Sequence, residues 1–576
     1  MLGATHYTLL ATSLLSLTSG SVGSDCKCPY GDACWPSDSE FEHLSSQISQ
    51  PIIRPTPPQA VCYPASNPSG NCTDVQTNIF NGNWVSDRAG AYQNINFQAY
   101  ISPNGTVSSC YLNATLGFPC EQGNIPPIGV DARSAADIQA AVRFAAKHNL
   151  RLVVKNTGHD YLGRSAGKNA FMIWTHHLKN ITYNETFIPE GAPTTENYRA
   201  LTIGAGVQWR EAYAAAEQNG RYVVGGISGD GSVGAAGGWI GGGGHSAFSA
   251  KFGLGADNAI QFTVVTANGD HVIANAYNNS HLFWALRGGG AGTYGVVTSV
   301  TYKTHDIVPV TLAFVTANFT SPDIAKSVGT EFFKIQPKLA DAHWGGYSFI
   351  NQNSFLYGMI APNVSLADAN ITAGPFLEFV KKTAGENNTM TGMIPAPSFY
   401  ALINATSSLP TTSGSQVGGN VEIASRLYTR KLYENQSEKM AETLLSFPEG
   451  VAINHVAGGV VSQTDPDSAG LNPGWRDALA EVYTTVNWED GATAAQIQAQ
   501  RDVLKGQIAT MEALEPGAPS YVNEGSLYEP NFKHTYFGSH YDRLLAIKDK
   551  YDPRGLFVVA SGVGSDRWDA ELVCPT

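Results

Sequence analysis

Between Ile128 and Tyr302 the apolar positions switch between two rhythms. Ser134 precedes a run with apolar residues at helical spacing from Ile138 to Ala146, and Asp137 stands three residues after the serine, a pattern that predicts an N-capped amphipathic helix. Leu150–Val154 follows as an apolar run of strand length. Leu201–Val207 and Gln208–Asn219 form a second pair, strand then helix, closed by Gly220. Tyr222–Val224, Ile260–Thr266 and Val296–Tyr302 read as further strands. This alternation predicts an α+β domain over residues 122–306. From Pro309 the strand-like runs lengthen (Val310–Phe319, Trp344–Ile350, Ser354–Ile360, Ala452–Val461), with helical stretches at Pro322–Gln336 and Leu366–Thr383. They predict an antiparallel sheet backed by helices over residues 307–510, after which residues 511–576 return to loop and helix.

The start of the chain follows neither rhythm. A short apolar core at Leu9–Leu17, then small residues, predicts a signal peptide over residues 1–23. Residues 24–121 are rich in Pro, Asn and Ser and hold seven of the eight cysteines: Cys26, Cys28, Cys34, Cys62, Cys72, Cys110 and Cys120, with Cys574 alone at the far end. Cys26-Lys27-Cys28 lacks the Cys-x2-Cys spacing of a metal site, so a disulfide-stapled extension is expected, with one bridge reaching Cys574 and the pairing otherwise open. Sequons at Asn71, Asn104, Asn113, Asn180, Asn318, Asn363, Asn370, Asn404 and Asn435 predict N-glycans on an extracellular protein. The formal charge is −13 with no basic block, which argues against nucleic acid or an anionic membrane as partners. Beyond the leader no apolar run approaches the ~20 residues of a membrane span.

Candidate chemistry sits in two small-residue blocks. Val153-Val154-Lys155-Asn156-Thr157-Gly158-His159-Asp160-Tyr161-Leu162-Gly163 runs from a strand into a turn carrying a histidine, and Gly225–Gly234 continues through Gly237-Gly238 to Gly241-Gly242-Gly243-Gly244-His245. Such turns leave backbone amides open to an anionic ligand. Gly229-x-Gly231-x-x-Gly234, with Asp257 beyond it, formally matches a dinucleotide fingerprint, but more glycines follow where a helix is required. Gly163-Arg164-Ser165-Ala166-Gly167 matches a nucleophile elbow without the flanking strand and helix. His176, His177 and His245 have no partner at metal-ligand spacing, and no metal is expected.

Together the two blocks resemble the flavin cradle of the vanillyl-alcohol-oxidase superfamily, with its PCMH-type FAD-binding fold. Leu286-Arg287-Gly288-Gly289-Gly290 through Tyr294-Gly295-Val296-Val297 fits the same pattern. Tyr521-Val522-Asn523, Tyr536-Phe537-Gly538 and Lys550-Tyr551-Asp552-Pro553 resemble the berberine-bridge-enzyme-like C-terminal module, and the cysteine-rich start is similar to secreted fungal isoamyl-alcohol-oxidase-like proteins. The resemblance implies FAD joined covalently to His159. It also implies FAD contacts from Asn156, Thr157, Gly158, Asp160, Leu162 and Gly163, from Ser228, Gly231, Ser232, Gly234, Gly238 and His245, and from Gly295, Val297 and Asn523. Many relatives attach the flavin a second time through a cysteine; here Asp230 stands at that place and no cysteine lies between Cys120 and Cys574, so single attachment is expected.

The implied reaction is hydride transfer from an alcohol, sugar or secondary-metabolite carbon to the flavin, with oxygen as final acceptor and hydrogen peroxide as product. A dehydrogenase using another acceptor, or a non-catalytic binding protein on the same fold, are the alternatives. For the base, alternation places Glu422, Arg426 and Tyr428 on one face of a strand, where they are the catalytic candidates beside Tyr161; His455, Trp475 and Arg476 come second.

Overall fold

The computed structural model describes residues 26–406 and 417–576. The expected leader lies outside the described residues. Three sheets organise the chain. The first is parallel and small: β1 (Ile128–Asp131), β2 (Leu152–Lys155) and β3 (Phe171–Trp174) lie in the order β1-β3-β2. The helix α1 (Ala135–Lys147) crosses between the first two strands, and Ser134 caps it by accepting from the Asp137 amide, as its spacing predicts. Ile138, Ala141, Val142 and Ala145 face inward from α1, so the amphipathic stripe becomes the layer over this sheet.

A second sheet, antiparallel, is built from β4 (Ile181–Phe187), β5 (Tyr198–Gly204), β6 (Ala259–Val265), β7 (His271–Asn275) and β8 (Val296–Lys303), in the order β7-β6-β8-β5-β4. The helix α2 (Trp209–Gln218) follows β5. The third sheet has seven antiparallel strands: β9 (Val310–Asn318), β10 (Gly345–Ile350), β11 (Ser354–Pro362), β12 (Thr389–Ala396), β13 (Asn420–Thr429), β14 (Val451–His455) and β15 (Ala478–Trp488). Their order is β12-β9-β11-β10-β14-β15-β13, with the helices α3 (Pro322–Asp341), α4 (Gly374–Ala384), α5 (Arg430–Leu444) and α6 (Ala494–Leu514) against it.

Differences from the sequence reading are local. Val460 and Val461 begin a short helix, Val460–Gln463, instead of extending β14, because Gly458 and Gly459 both take positive φ and end the strand. The apolar run at Tyr222 forms only the two-residue strand Arg221–Tyr222, paired with His305–Asp306. Leu366–Thr383 divides into Leu366–Thr372 and α4, broken at Ala373.

The cysteines pair as Cys26–Cys574, Cys28–Cys34, Cys62–Cys72 and Cys110–Cys120, so Cys574 does tie back to the N-terminal segment. That segment is packed: Trp35 lies against Phe41, and Phe41 packs at a tilt against Phe144 of α1 and Phe171 of β3. No described helix is long and apolar enough to cross a membrane.

Candidate functional site

One large cavity, about 1830 Å³ including its open mouth, runs between the parallel sheet, the glycine blocks and the seven-stranded sheet. Its long wall is mostly backbone. Strand β2 ends at Lys155 and the chain turns through Asn156, Thr157 and Gly158 (φ +81°), a left-handed position that a side chain would strain. The same wall continues through Ser228, Gly234, Gly237 and Gly238, then through Gly290–Val297. At Gly238 a Cβ would meet no protein atom within 4 Å, so it would project into open space at the cavity wall. Polar atoms on this lining, among them Asn156 Oδ1, Ser165 Oγ, Trp239 Nε1 and His245 Nδ1, are buried without a protein partner. Buried polar groups are nearly always paired, so these atoms are free to serve a polar ligand. An elongated dinucleotide with phosphates and ring nitrogens fits such a wall.

His159 lines the same wall. Its Nε2 is 2.7 Å from Ser232 Oγ, and Asp230 Oδ1 accepts from the Ser232 amide at 3.0 Å. Burial lowers the imidazole's pKa to about 4 against the opposing pull of Asp230, which keeps the ring neutral. Burial also opposes the Asp230 charge, but hydrogen bonds from the Ser232 hydroxyl and amide, the nearby His159 ring acting electrostatically, and a hydrogen bond from the Gly82 amide together hold that carboxyl below its usual pKa. Gly82 belongs to the cysteine-rich extension, and its amide donates to Asp230 Oδ2 at 2.6 Å. The extension therefore buttresses the loop behind His159.

The opposite end of the cavity is built from side chains. Tyr347, Asn454 and Tyr483 reach it from β10, β14 and β15, Tyr161 from the His159 loop, and Tyr521, Asn523 and Glu524 from the C-terminal segment. Asn523 Nδ2 donates to the Gly238 carbonyl at 2.9 Å and to Tyr521 Oη at 2.7 Å, while its Oδ1 accepts from Arg164 at 2.9 Å. Behind Glu524 lies Glu481 on β15. Asn454 Nδ2 donates to both carboxylates, at 3.1 Å each, and His245 Nε2 is 3.2 Å from Glu524 Oε1 and 3.7 Å from Glu481 Oε2. Ligand atoms of His245, Glu481 and Glu524 all lie within 4.8 Å of one another, close enough to hold a metal ion, a grouping the sequence reading did not foresee.

Of the residues expected at the flavin, Asn156, Thr157, Gly158, His159, Asp160, Ser228, Gly234, Gly238, His245, Gly295, Val297 and Asn523 line this cavity, and so does Tyr161. Leu162, Gly163, Gly231 and Ser232 do not. Leu162 turns into the hydrophobic core, Gly163 packs under Phe97, Gly231 lies against Arg210, and Ser232 stands behind His159 as its hydrogen-bond partner.

The expected catalytic face is corrected. Glu422, Arg426 and Tyr428 do share one face of β13, but it is the face away from the cavity, and Ile423 points inward instead. Helix α6 covers that outer face. Glu422 pairs with Arg501 at 2.8 Å, Arg426 with Glu529 at 2.7 Å, and the Tyr428 hydroxyl donates to the Met511 carbonyl at 3.0 Å. Of the second-rank residues, His455 is buried edge-on against Phe332, and Arg476 is clamped on Asp257 through two bonds of 2.8 and 2.7 Å. Trp475 packs against Tyr521 just outside the cavity lining. Glu481, Glu524, Asn454 and Tyr483 were missed because nothing local marks them; His245 and Glu524 meet across 279 residues.

Residues 126–275 match the model of an FAD binding domain, and residues 520–564 match that of berberine and berberine-like proteins. An uncharacterized FAD-linked oxidoreductase of Arthroderma benhamiae is 37% identical, with the whole of both chains aligned. A VAO-type flavoprotein oxidase of Thermothelomyces thermophilus is 32% identical over 98% of each chain. The crystal structure of a VAO-type flavoprotein from Myceliophthora thermophila superposes with a TM-score of 0.85 at 29% identity, covering 96% of this chain and 100% of its own.

Proposed function

The chain belongs to the FAD-linked oxidoreductases of the vanillyl-alcohol-oxidase superfamily with a berberine-bridge-like C-terminal module, and from that premise we propose that it is a secreted, glycosylated oxidase with FAD attached once, through His159. The observation that carries this reading is the meeting of His159, the two glycine blocks and Asn523 on one cavity wall with unpaired polar atoms. Bound FAD supplies a two-electron acceptor that takes a hydride from a substrate carbon and passes the electrons to oxygen as hydrogen peroxide. The residues do the rest. Amides of the Asn156–Asp160 turn and of Ser228, Val233 and Gly234 hold the pyrophosphate, and Gly295–Val297 the adenine end. Neutral His159, its ring set by Ser232, offers a nitrogen lone pair for the covalent bond. Asp230 occupies the place of a second attachment and ties the loop to Gly82 instead.

In this reading residues 122–306 and 511–576 hold the cofactor and residues 307–510 face the substrate, which is an alcohol, sugar or secondary-metabolite donor. The relation to a VAO-type flavoprotein oxidase supports oxygen as acceptor. Four disulfides support an oxidising compartment, and all nine sequon asparagines named above are exposed, as glycan acceptors must be.

The test is the absorption spectrum of the purified protein, followed by flavin fluorescence in a denaturing gel, with His159→Ala alongside. Fluorescence that stays on the denatured wild type and leaves the variant is expected. Colourless protein would end the oxidase reading; yellow protein that releases its flavin would end only the covalent bond. A peroxide assay over a panel of alcohols, sugars and amines then separates an oxidase from a dehydrogenase.

A further inference from the structure

Two carboxyl groups meet at the side-chain end of the cavity with no lysine or arginine between them. Glu481 is 0% exposed, while the Glu524 side chain is 21% exposed and lines the cavity. One Asn454 amide nitrogen bridges an oxygen of each, His245 lies beside both, and the Ser425 hydroxyl also reaches Glu481. Two adjacent negative charges in so dry a place repel strongly. Burial, then the Glu524 charge, pushes the Glu481 carboxyl well above its usual pKa, so the deeper residue keeps its proton.

The surrounding tyrosines do not compete for a proton. Burial drives the phenols of Tyr161, Tyr347, Tyr483 and Tyr521 upward, and the Glu524 charge adds to the shift in each. They remain neutral hydroxyls, able to donate hydrogen bonds and unable to act as bases at ordinary pH. We propose that Glu524, the carboxyl that lines the cavity beside Asn454, His245 and the tyrosines, is the catalytic base that accepts the proton released by the substrate. Resting on the FAD reading, the balance is simple. The donor's carbon loses a hydride, with two electrons, to the flavin; its O–H or N–H bond breaks; the freed pair forms C=O or C=N; and the proton ends on Glu524. Donor oxidised, flavin reduced and carboxylate protonated account for every atom. Asn454, which donates to both carboxylates, and His245, hydrogen-bonded to Glu524, are positioning residues.

The first arm needs neither flavin turnover nor substrate. Infrared spectra at neutral pH, with and without carbon-13-labelled glutamate, are expected to show the C=O stretch of a protonated glutamate in the wild type and in Glu524→Gln but not in Glu481→Gln. Absence of that band, or its survival in Glu481→Gln, overturns the protonated Glu481 behind Glu524. The second arm is anaerobic bleaching of the flavin by the donor that the peroxide panel selects. Glu524→Gln, checked for wild-type flavin content and thermal midpoint, is expected to slow bleaching by about 10²–10⁴-fold and to lose its acid limb, whereas Glu481→Gln stays within about tenfold. Wild-type bleaching by Glu524→Gln, or loss only in His245→Gln, overturns the assignment to Glu524. Should Glu524→Gln not fold, Glu524→Asp takes its place, and wild-type bleaching with an unmoved acid limb overturns the base. A panel that bleaches no wild-type flavin counts against the oxidoreductase reading itself, while the infrared arm still decides the pair.

Discussion

The two ends of the cavity are made differently. The His159 end is assembled from three short stretches in which neighbours in sequence are neighbours in space, and most of what they offer is backbone. At the Glu524 end, three strands and the His159 loop each contribute one side chain and the C-terminal segment contributes three, held by bonds such as Asn454 to both glutamates. Backbone cradles need glycines in fixed order and so leave a local signature. Convergent side chains need only the right strand face at the right depth, and leave none.

Changes on either side of this divide sharpen it. The largest effect is expected away from the cavity altogether. Arg426→Ala strands Glu529, which is 1% exposed, without its partner, and should cost about 3–5 kcal/mol in denaturant unfolding. Turnover per folded, flavin-loaded molecule should not change. A selective loss of turnover at unchanged stability would restore Arg426 to the catalytic list.

Gly241→Val strikes the backbone-built end. Its Cβ would come within 2.7 Å of Ala291 Cβ and 2.8 Å of Ala291 Cα, across the wall where two glycine blocks touch. Overpacking there should cost about 1–3 kcal/mol and expel the flavin, read as loss of colour after purification. Retained colour at full occupancy would mean that the wall yields and that the cradle is less rigid than its backbone suggests.

The smallest effect is a pH dependence at the side-chain end. Glu481 keeps its proton in the native state to a pH well above its ordinary 4.5, whereas in the unfolded chain it ionises near that value. Its contribution to stability is thus complete below about 4.5 and is lost as pH rises through the raised native value. Thermal midpoints measured across this range should fall for the wild type relative to Glu481→Gln, whose neutral amide does not titrate. Parallel profiles would show that Glu481 is already ionised in the native protein.

Much of the architecture was legible in advance. Ser134 and its spacing to Asp137 announced α1, and the long alternating runs announced the antiparallel sheet, because helix and strand periods are written in neighbouring residues. The error over Glu422, Arg426 and Tyr428 is instructive for the same reason. Alternation correctly put them on one face of β13, yet periodicity carries no sign; whether that face met the cavity or α6 depended on a helix that begins at Ala494. Sequence by itself determined the glycine wall, the His159 turn, the lack of any cysteine between Cys120 and Cys574 and the tie of Cys574 to the start of the chain, all of which rest on local conformational freedom or on counting. Only the tertiary structure decided which side chains look across at that wall. Glu481, Asn454, His245 and Glu524 become a site through strand order and depth of burial, and both are properties of the packed chain as a whole.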